Sequence, residues 1–165
     1  NDLFCLQNKD VHTISVGISK ETDFDSHLEA VSLLPKVDEY VPRILDKFKH
    51  ESIRCLGLEW HNCWDENLPK WEETPGNINI PVLIWLSNLV DAWDMEDFAR
   101  SRYQLLGNGS HWFPGNNANY IDINVKEKEL LYSLKNHINP ERVIHKLRTL
   151  KDKYGGKEIS RLTVI

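Results

Sequence analysis

Ile80-Pro81-Val82-Leu83-Ile84-Trp85-Leu86 is the stretch on whose reading the fold turns. It is apolar on both faces and carries Pro81 close to its start, a composition that suits a central strand covered on two sides in a parallel sheet. It falls well short of the roughly eighteen residues that suggest a membrane span. The stretch is therefore expected to lie at the centre of a sheet.

Outward from it, strand-like and helix-like patterns alternate. Upstream, His12 to Ser19 sets Ile14, Val16 and Ile18 against Thr13, Ser15 and Gly17, the period of two of a strand. Pro35 to Lys49 stripes one helical face with Val37, Val41, Ile44, Leu45 and Phe48, although Pro42 must kink or restart that helix. Ile53 to Leu58 reads as a second strand.

Downstream, Leu89, Ala92, Trp93, Ala99, Tyr103 and Leu106 recur at helical spacing until Gly107-Asn108-Gly109, residues that tolerate positive φ. Tyr120 to Val125 alternates Ile121, Ile123 and Val125 with polar neighbours, a further strand. Two helices follow, one through Leu130, Leu131, Leu134 and Ile138. The other has Asn139 as N-cap, Pro140 in its first turn and Gly155-Gly156 at its end. Glu158 to Ile165 closes as a strand. This order predicts one α/β domain over residues 1–165, a three-layer sandwich whose mainly parallel central sheet has about five strands, with helices on both faces. No repeat, linker or low-complexity tract interrupts it.

Composition is that of a soluble globular domain: 165 residues, 41% hydrophobic and 27% charged, with a formal net charge of −5. Residues 1–125 hold 10 Lys+Arg and 20 Asp+Glu, whereas 126–165 hold 10 and 5. That acidic body disfavours nucleic acid as a partner. Cys5, Cys55 and Cys63 cannot all pair within the chain, which argues for a reducing compartment and a cytoplasmic location. No signal segment or membrane span supports a membrane role. Because the chain opens on Asn1, it is expected to be an excerpt, a processed form or one with a trimmed start.

The densest chemistry lies in Glu59 to Glu73, where three Trp, one His, one Cys and five carboxylates share fifteen residues. Trp is costly to expose and needs a partner for its indole N–H when buried, so such crowding points to a recognition surface. We assign contact roles to Trp60, His61, Trp64, Asp65, Glu66 and Trp71. His111 and Trp112 join them from the polar loop Gly107 to Asn117.

Catalytic readings meet specific objections. His61, Cys63, Asp65 and Glu66 offer zinc-type ligands, but no Cys-x-x-Cys, His-x-His or His-x-x-x-His pair completes the set. Acids beside Cys63 would raise its pKa and oppose a thiolate. Asp91, Asp94, Glu96 and Asp97 could hold a divalent ion for a hydrolase, yet a helix N-terminus favours acids without any reaction. Asp122 and Lys126 match a nuclease's acid-acid-lysine set only loosely, since Asn124 stands where a second acid belongs. Neither glycine-rich phosphate loop is present. No catalytic residue, metal ligand or cofactor is assigned.

Ile14-Ser15-Val16-Gly17-Ile18-Ser19, the helix Val37 to Phe48, the strand Ile53 to Leu58, Val82 to Ser87 and the stretch Arg142 to Ile165 together resemble the caspase-like (caspase-hemoglobinase) fold. Where that family carries His-Gly after its third strand, Ser87-Asn88-Leu89 stands here, and no cysteine follows before Ile165. The resemblance thus implies an inactive piece, or a cysteine protease whose nucleophile lies outside this chain. The function expected is a protein-interaction or regulatory module without catalysis of its own. Its Trp-rich acidic segment would meet another protein with a basic surface.

Overall fold

The computed structural model describes residues 1–108 and 113–156. Among them no strand forms, and the sole β pairing is an isolated parallel bridge between Ile78 and Asn116. The architecture is helical, which overturns both the α/β sandwich and the caspase-like fold expected from the sequence. Helices run α1 Asp2–Leu6, α2 Asp23–Ser32, α3 Val37–Leu56, α4 Leu58–Cys63, α5 Ile80–Trp93, α6 Glu96–Leu105, α7 Glu127–Ser133 and α8 Pro140–Tyr154. The chain divides into two compact units, Asn1–His50 and Glu51–Ile165.

The deciding stretch, Ile80 to Leu86, is the first half of α5. Asn79 caps it, its Oδ1 accepting the Val82 N–H at 3.1 Å, and Pro81 occupies the first turn, where its missing N–H costs nothing. Being apolar on every side suits a fully buried helix as well as a covered strand. Length separates the two, because the apolar pattern continues through Leu89 and Ala92 for fourteen residues. Burial then outweighs propensity. The β-branched residues cost at most about 0.7 kcal/mol each in a helix, whereas burying Leu83, Ile84, Leu86 and Leu89 contributes about 1.5–3 kcal/mol apiece.

Other expected strands fail for local reasons. Ile53 to Leu58 forms the last turn of α3 and the start of α4, separated by Gly57 at φ +82°. His12 to Ser19 adopts no regular structure, and Val16 and Ile18 are exposed. Burial alternates from Tyr120 to Asn124, with Ile121 and Ile123 facing the core, but Val125, expected on their side, is 75% exposed. The backbone turns here, with Asp122 Oδ1 accepting the Asn124 N–H at 3.0 Å and the Val125 N–H at 3.3 Å. Glu158 to Ile165 lies outside the described residues.

In the second unit α5 packs against α6 and α8. The helical run expected from Leu89 to Leu106 breaks at Asp94, whose left-handed backbone (φ 54°) closes α5. Tyr103 of α6 meets Tyr154 of α8 edge to face at 5.8 Å, and its hydroxyl donates to Asn119 Oδ1 at 2.9 Å. The N-terminus of α8 is the one its sequence marks, Asn139 Oδ1 accepting from the Arg142 N–H at 3.1 Å.

The first unit holds α1, α2 and α3 as far as His50. α1 lies on α2, tied by His27 Nδ1 and Asp2 Oδ2 at 2.5 Å. Asp23 steadies the start of α2 by accepting the backbone N–H groups of Ser19 (2.8 Å) and Lys20 (3.1 Å). Pro42 sits inside α3 and leaves the Asp38 carbonyl without its helical donor.

Candidate functional site

The Trp-rich segment becomes α4, a turn, an extended stretch and a short 3-10 turn over Trp71–Glu73. Its rings point inward. Trp60 is 3% exposed, and its indole N–H donates to Asn88 Oδ1 on α5 at 2.9 Å. The Arg142 guanidinium lies 4.3 Å from its ring centroid, the Lys146 ammonium 5.6 Å, and His137 meets it edge-on at 5.8 Å. α4 is thereby pinned to α5 and α8 through one side chain. Trp60, assigned a contact role from sequence, is a core residue here.

Its neighbours divide between core and surface. Trp64 is half-buried against the core, and its carbonyl accepts from His137 Nε2 at 3.1 Å. His137 Nδ1 in turn accepts the Asn139 N–H at 3.0 Å, which places the ring proton on Nε2. His61 Nδ1 pairs with the Ser52 hydroxyl at 2.8 Å. Half-buried Trp71 presses on Gly115, where an added Cβ would come 3.0 Å from the Trp71 Cβ at a backbone φ of +80°. Cys63 donates to the Glu59 carbonyl at 2.7 Å. Burial, then Glu66, Glu59 and Asp65, push that thiol above its ordinary value, which opposes a thiolate. Asp65 and Glu66 are exposed, and His111 and Trp112 lie outside the described residues.

The acids at the end of α5 and the start of α6 have separate partners. Asp91 Oδ2 lies 2.5 Å from Lys146 Nζ, which also reaches the Ser87 hydroxyl at 3.2 Å. Burial lowers the Lys146 pKa and Asp91 opposes that shift, so the ion pair holds the ammonium in place. Glu96 serves Arg100 and Lys153, Asp97 serves Arg100, and Asp94 closes α5. Among the described residues no three His, Cys, Asp or Glu side chains gather in an arrangement that would hold a metal ion.

What remains open on the segment's outer side is a groove of about 800 Å³ between residues 67–75 and the region of α7. Leu68, Glu72, Glu73, Lys128, Tyr132 and Lys135 are among its walls. Tyr132 is 72% exposed, with the Lys135 ammonium 4.7 Å from its ring centroid. Glu72 and Glu73 make no ion pair among the described residues.

Sequence reasoning missed a second surface. In the first unit only Val41 is buried, whereas Phe4, Phe24, Leu28, Val31, Ile44, Leu45 and Phe48 are between 42% and 66% exposed. Phe4, Val41, Ile44, Leu45 and Phe48 line a groove of about 560 Å³ together with Ala30. The α3 stripe was legible, but amphipathicity does not say what an apolar face meets. Phe24, Leu28 and Val31, at spacings of four and three, were the unread signal on α2. No helix among the described residues is long and apolar enough to cross a membrane. In comparisons with family models, curated proteins and solved structures, the chain matches none.

Proposed function

We propose that this protein is an interaction module without catalysis of its own, and that its main contact surface is the apolar helical face of the first unit. The observation that carries this reading is the inverted burial of Asn1–His50, one buried apolar residue against eight large ones at least 42% exposed. Soluble proteins rarely leave a contiguous apolar patch above a few hundred Å² unless something docks on it. Helical spacing on α3, whose Ile44, Leu45 and Phe48 line the groove, suits a helical partner laid into it. The pairing of Asp91, Glu96 and Asp97 with cations supports the non-catalytic part of the reading.

A hydrophobic reporter dye tests it. The native chain should enhance the fluorescence of an anilinonaphthalene sulfonate at neutral pH, and Leu45→Asp with Phe48→Asp should abolish that signal while helicity and melting temperature hold. If the double variant unfolds instead, the two side chains are core and the reading fails.

A second reading rests on the groove beside Glu72 and Glu73, where free carboxylates and an exposed Tyr132 suit an extended basic segment of another protein. Its affinity for a Lys-rich peptide would fall steeply with salt, and Glu72→Lys with Glu73→Lys would reverse the preference.

A further inference from the structure

We propose that the pocket between α5 and α8 binds a compact tetrahedral oxyanion, the phosphoryl group of inorganic phosphate or of a phosphomonoester. It lies in the second unit and is independent of the apolar face of the first.

The pocket follows from two helical stripes. Arg142, Lys146 and Thr149, at intervals of four and three, share one face of α8 with His145, and Ser87 and Asp91, four apart, meet them from α5. These six side chains line a cavity of about 200 Å³. That is less than the roughly 300–1,000 Å³ of a site for a drug-sized ligand, so a single small group fits where a nucleotide would not.

Hydrogen-bond capacity selects the group. Lys146 is 5% exposed and Ser87 4%, so the floor of the pocket is a buried ammonium beside a buried hydroxyl, 3.2 Å apart. Ser87 Oγ accepts there, and its own proton meets no acceptor among the described residues. Arg142 spends one of its five N–H donors, on the Leu56 carbonyl at 2.9 Å. The His145 ring is exposed and has no partner among the described residues. Few acceptors stand against these donors: Asp91 gives one oxygen to Lys146 at 2.5 Å, and the Thr149 hydroxyl already donates to the His145 carbonyl at 3.1 Å. A surplus of donors around so small a space calls for a ligand rich in acceptors.

Charge agrees. Arg142 and Lys146 set two positive charges against the one negative charge of Asp91, on a protein whose formal net charge is −5. Attraction of an anion must therefore come from the pocket itself, because the molecule as a whole repels it. Burial pushes the Lys146 pKa down and Asp91 resists, and a bound anion favours the ammonium in the same way. The Asp91 side chain is 47% exposed, so its carboxylate can turn to water when an anion takes its place on Lys146.

Isothermal titration calorimetry of the full chain with inorganic phosphate, and separately with glycerol phosphate, at an ionic strength held constant with chloride, tests it. Saturable binding with a Kd between about 10 µM and 1 mM is expected. Tighter binding of the ester assigns the site to phosphorylated molecules, tighter binding of the inorganic ion to free phosphate, and equal affinity to the phosphoryl group of either. His145→Glu, at an exposed side chain, adds a second carboxylate to the pocket wall and should weaken binding at least tenfold. Asp91→Asn should tighten it about tenfold, and phosphate should recover the thermal midpoint that this variant loses in chloride, by taking over as counter-ion of Lys146. If Asp91→Asn does not fold, His145→Glu decides alone. No saturable heat with either probe, or binding that His145→Glu leaves unchanged, overturns the proposal. A folded Asp91→Asn whose midpoint phosphate does not raise overturns the assignment of Lys146 as the anion's partner.

Discussion

Replacing Trp60 by Ala removes a side chain that joins α4 to both α5 and α8. Loss of a buried Trp costs about 3–5 kcal/mol in transfer and cavity terms. The indole N–H also leaves Asn88 Oδ1 without its donor, on a side chain whose Nδ2 already has no partner. A buried polar group so abandoned adds about 1–3 kcal/mol. Arg142 and Lys146 lose the π face they stand over, and Lys146 has almost no access to water in exchange. The expected total, about 5 kcal/mol, is comparable with the whole stability of a small domain. Trp60→Phe keeps a ring and should cost about 1–3 kcal/mol, the hydrogen-bond part alone. Urea unfolding followed by far-UV circular dichroism reads both. At a slope of about 1–3 kcal/mol per molar urea, Trp60→Ala should lower the midpoint by well over 1 M or leave no folded baseline. A loss below about 1 kcal/mol at unchanged slope would refute the assignment of Trp60 as a plug and return it to the surface.

Two further outcomes follow from the same structure. Asn79→Ala removes the cap on Val82 and the amide donor to the Pro114 carbonyl at 2.8 Å, and should cost about 1–2 kcal/mol in thermal unfolding, with Asn79→Asp recovering only the cap. Burial raises the Tyr103 and Tyr154 pKa values, so the unfolded chain ionises first: their stabilising contribution is complete below about pH 10 and is lost as pH rises through the folded values. Lys146, shifted downward, acts with the opposite sign below its ordinary value. Lys146→Met should therefore lack the gain in stability that the native chain shows as pH rises toward the ordinary lysine value of 10.5, and Tyr103→Phe should show a shallower loss than the native chain above pH 10.

How much of this was legible can be judged residue by residue. The cap signals were: Asn139 and Pro140 open α8 as their chemistry requires, and Asn79 with Pro81 opens α5 by the same rule. The second pair lost to the apolar content of Ile80 to Leu86, because a segment buried on all sides has no period to display. At Tyr120 to Val125 the alternation holds only as far as Ile123, and Asp122 satisfies the Asn124 and Val125 N–H groups locally, turning the chain where a strand would continue. The residues of Glu59 to Glu73 were rightly singled out as unusual. What the sequence could not convey was direction, since a Trp that stacks on Arg142 inside a fold and one that anchors a partner are composed alike. In the first unit the same ambiguity recurs along one stripe, where Val41 is buried while Ile44 and Phe48 are exposed.

The basic end of the chain also changes meaning once its side chains are placed. Lys146 is buried against Asp91, Arg142 stacks on Trp60 and donates to the Leu56 carbonyl at 2.9 Å, and the Lys151 ammonium donates to the Ile121 carbonyl. These cations act as internal rivets, holding α8 to the rest of its unit. Lys146 is withdrawn from water against its partner Asp91, whereas Glu59, Asp65, Glu66, Glu72 and Glu73 stay exposed and hold an outward position that no residue count would weigh.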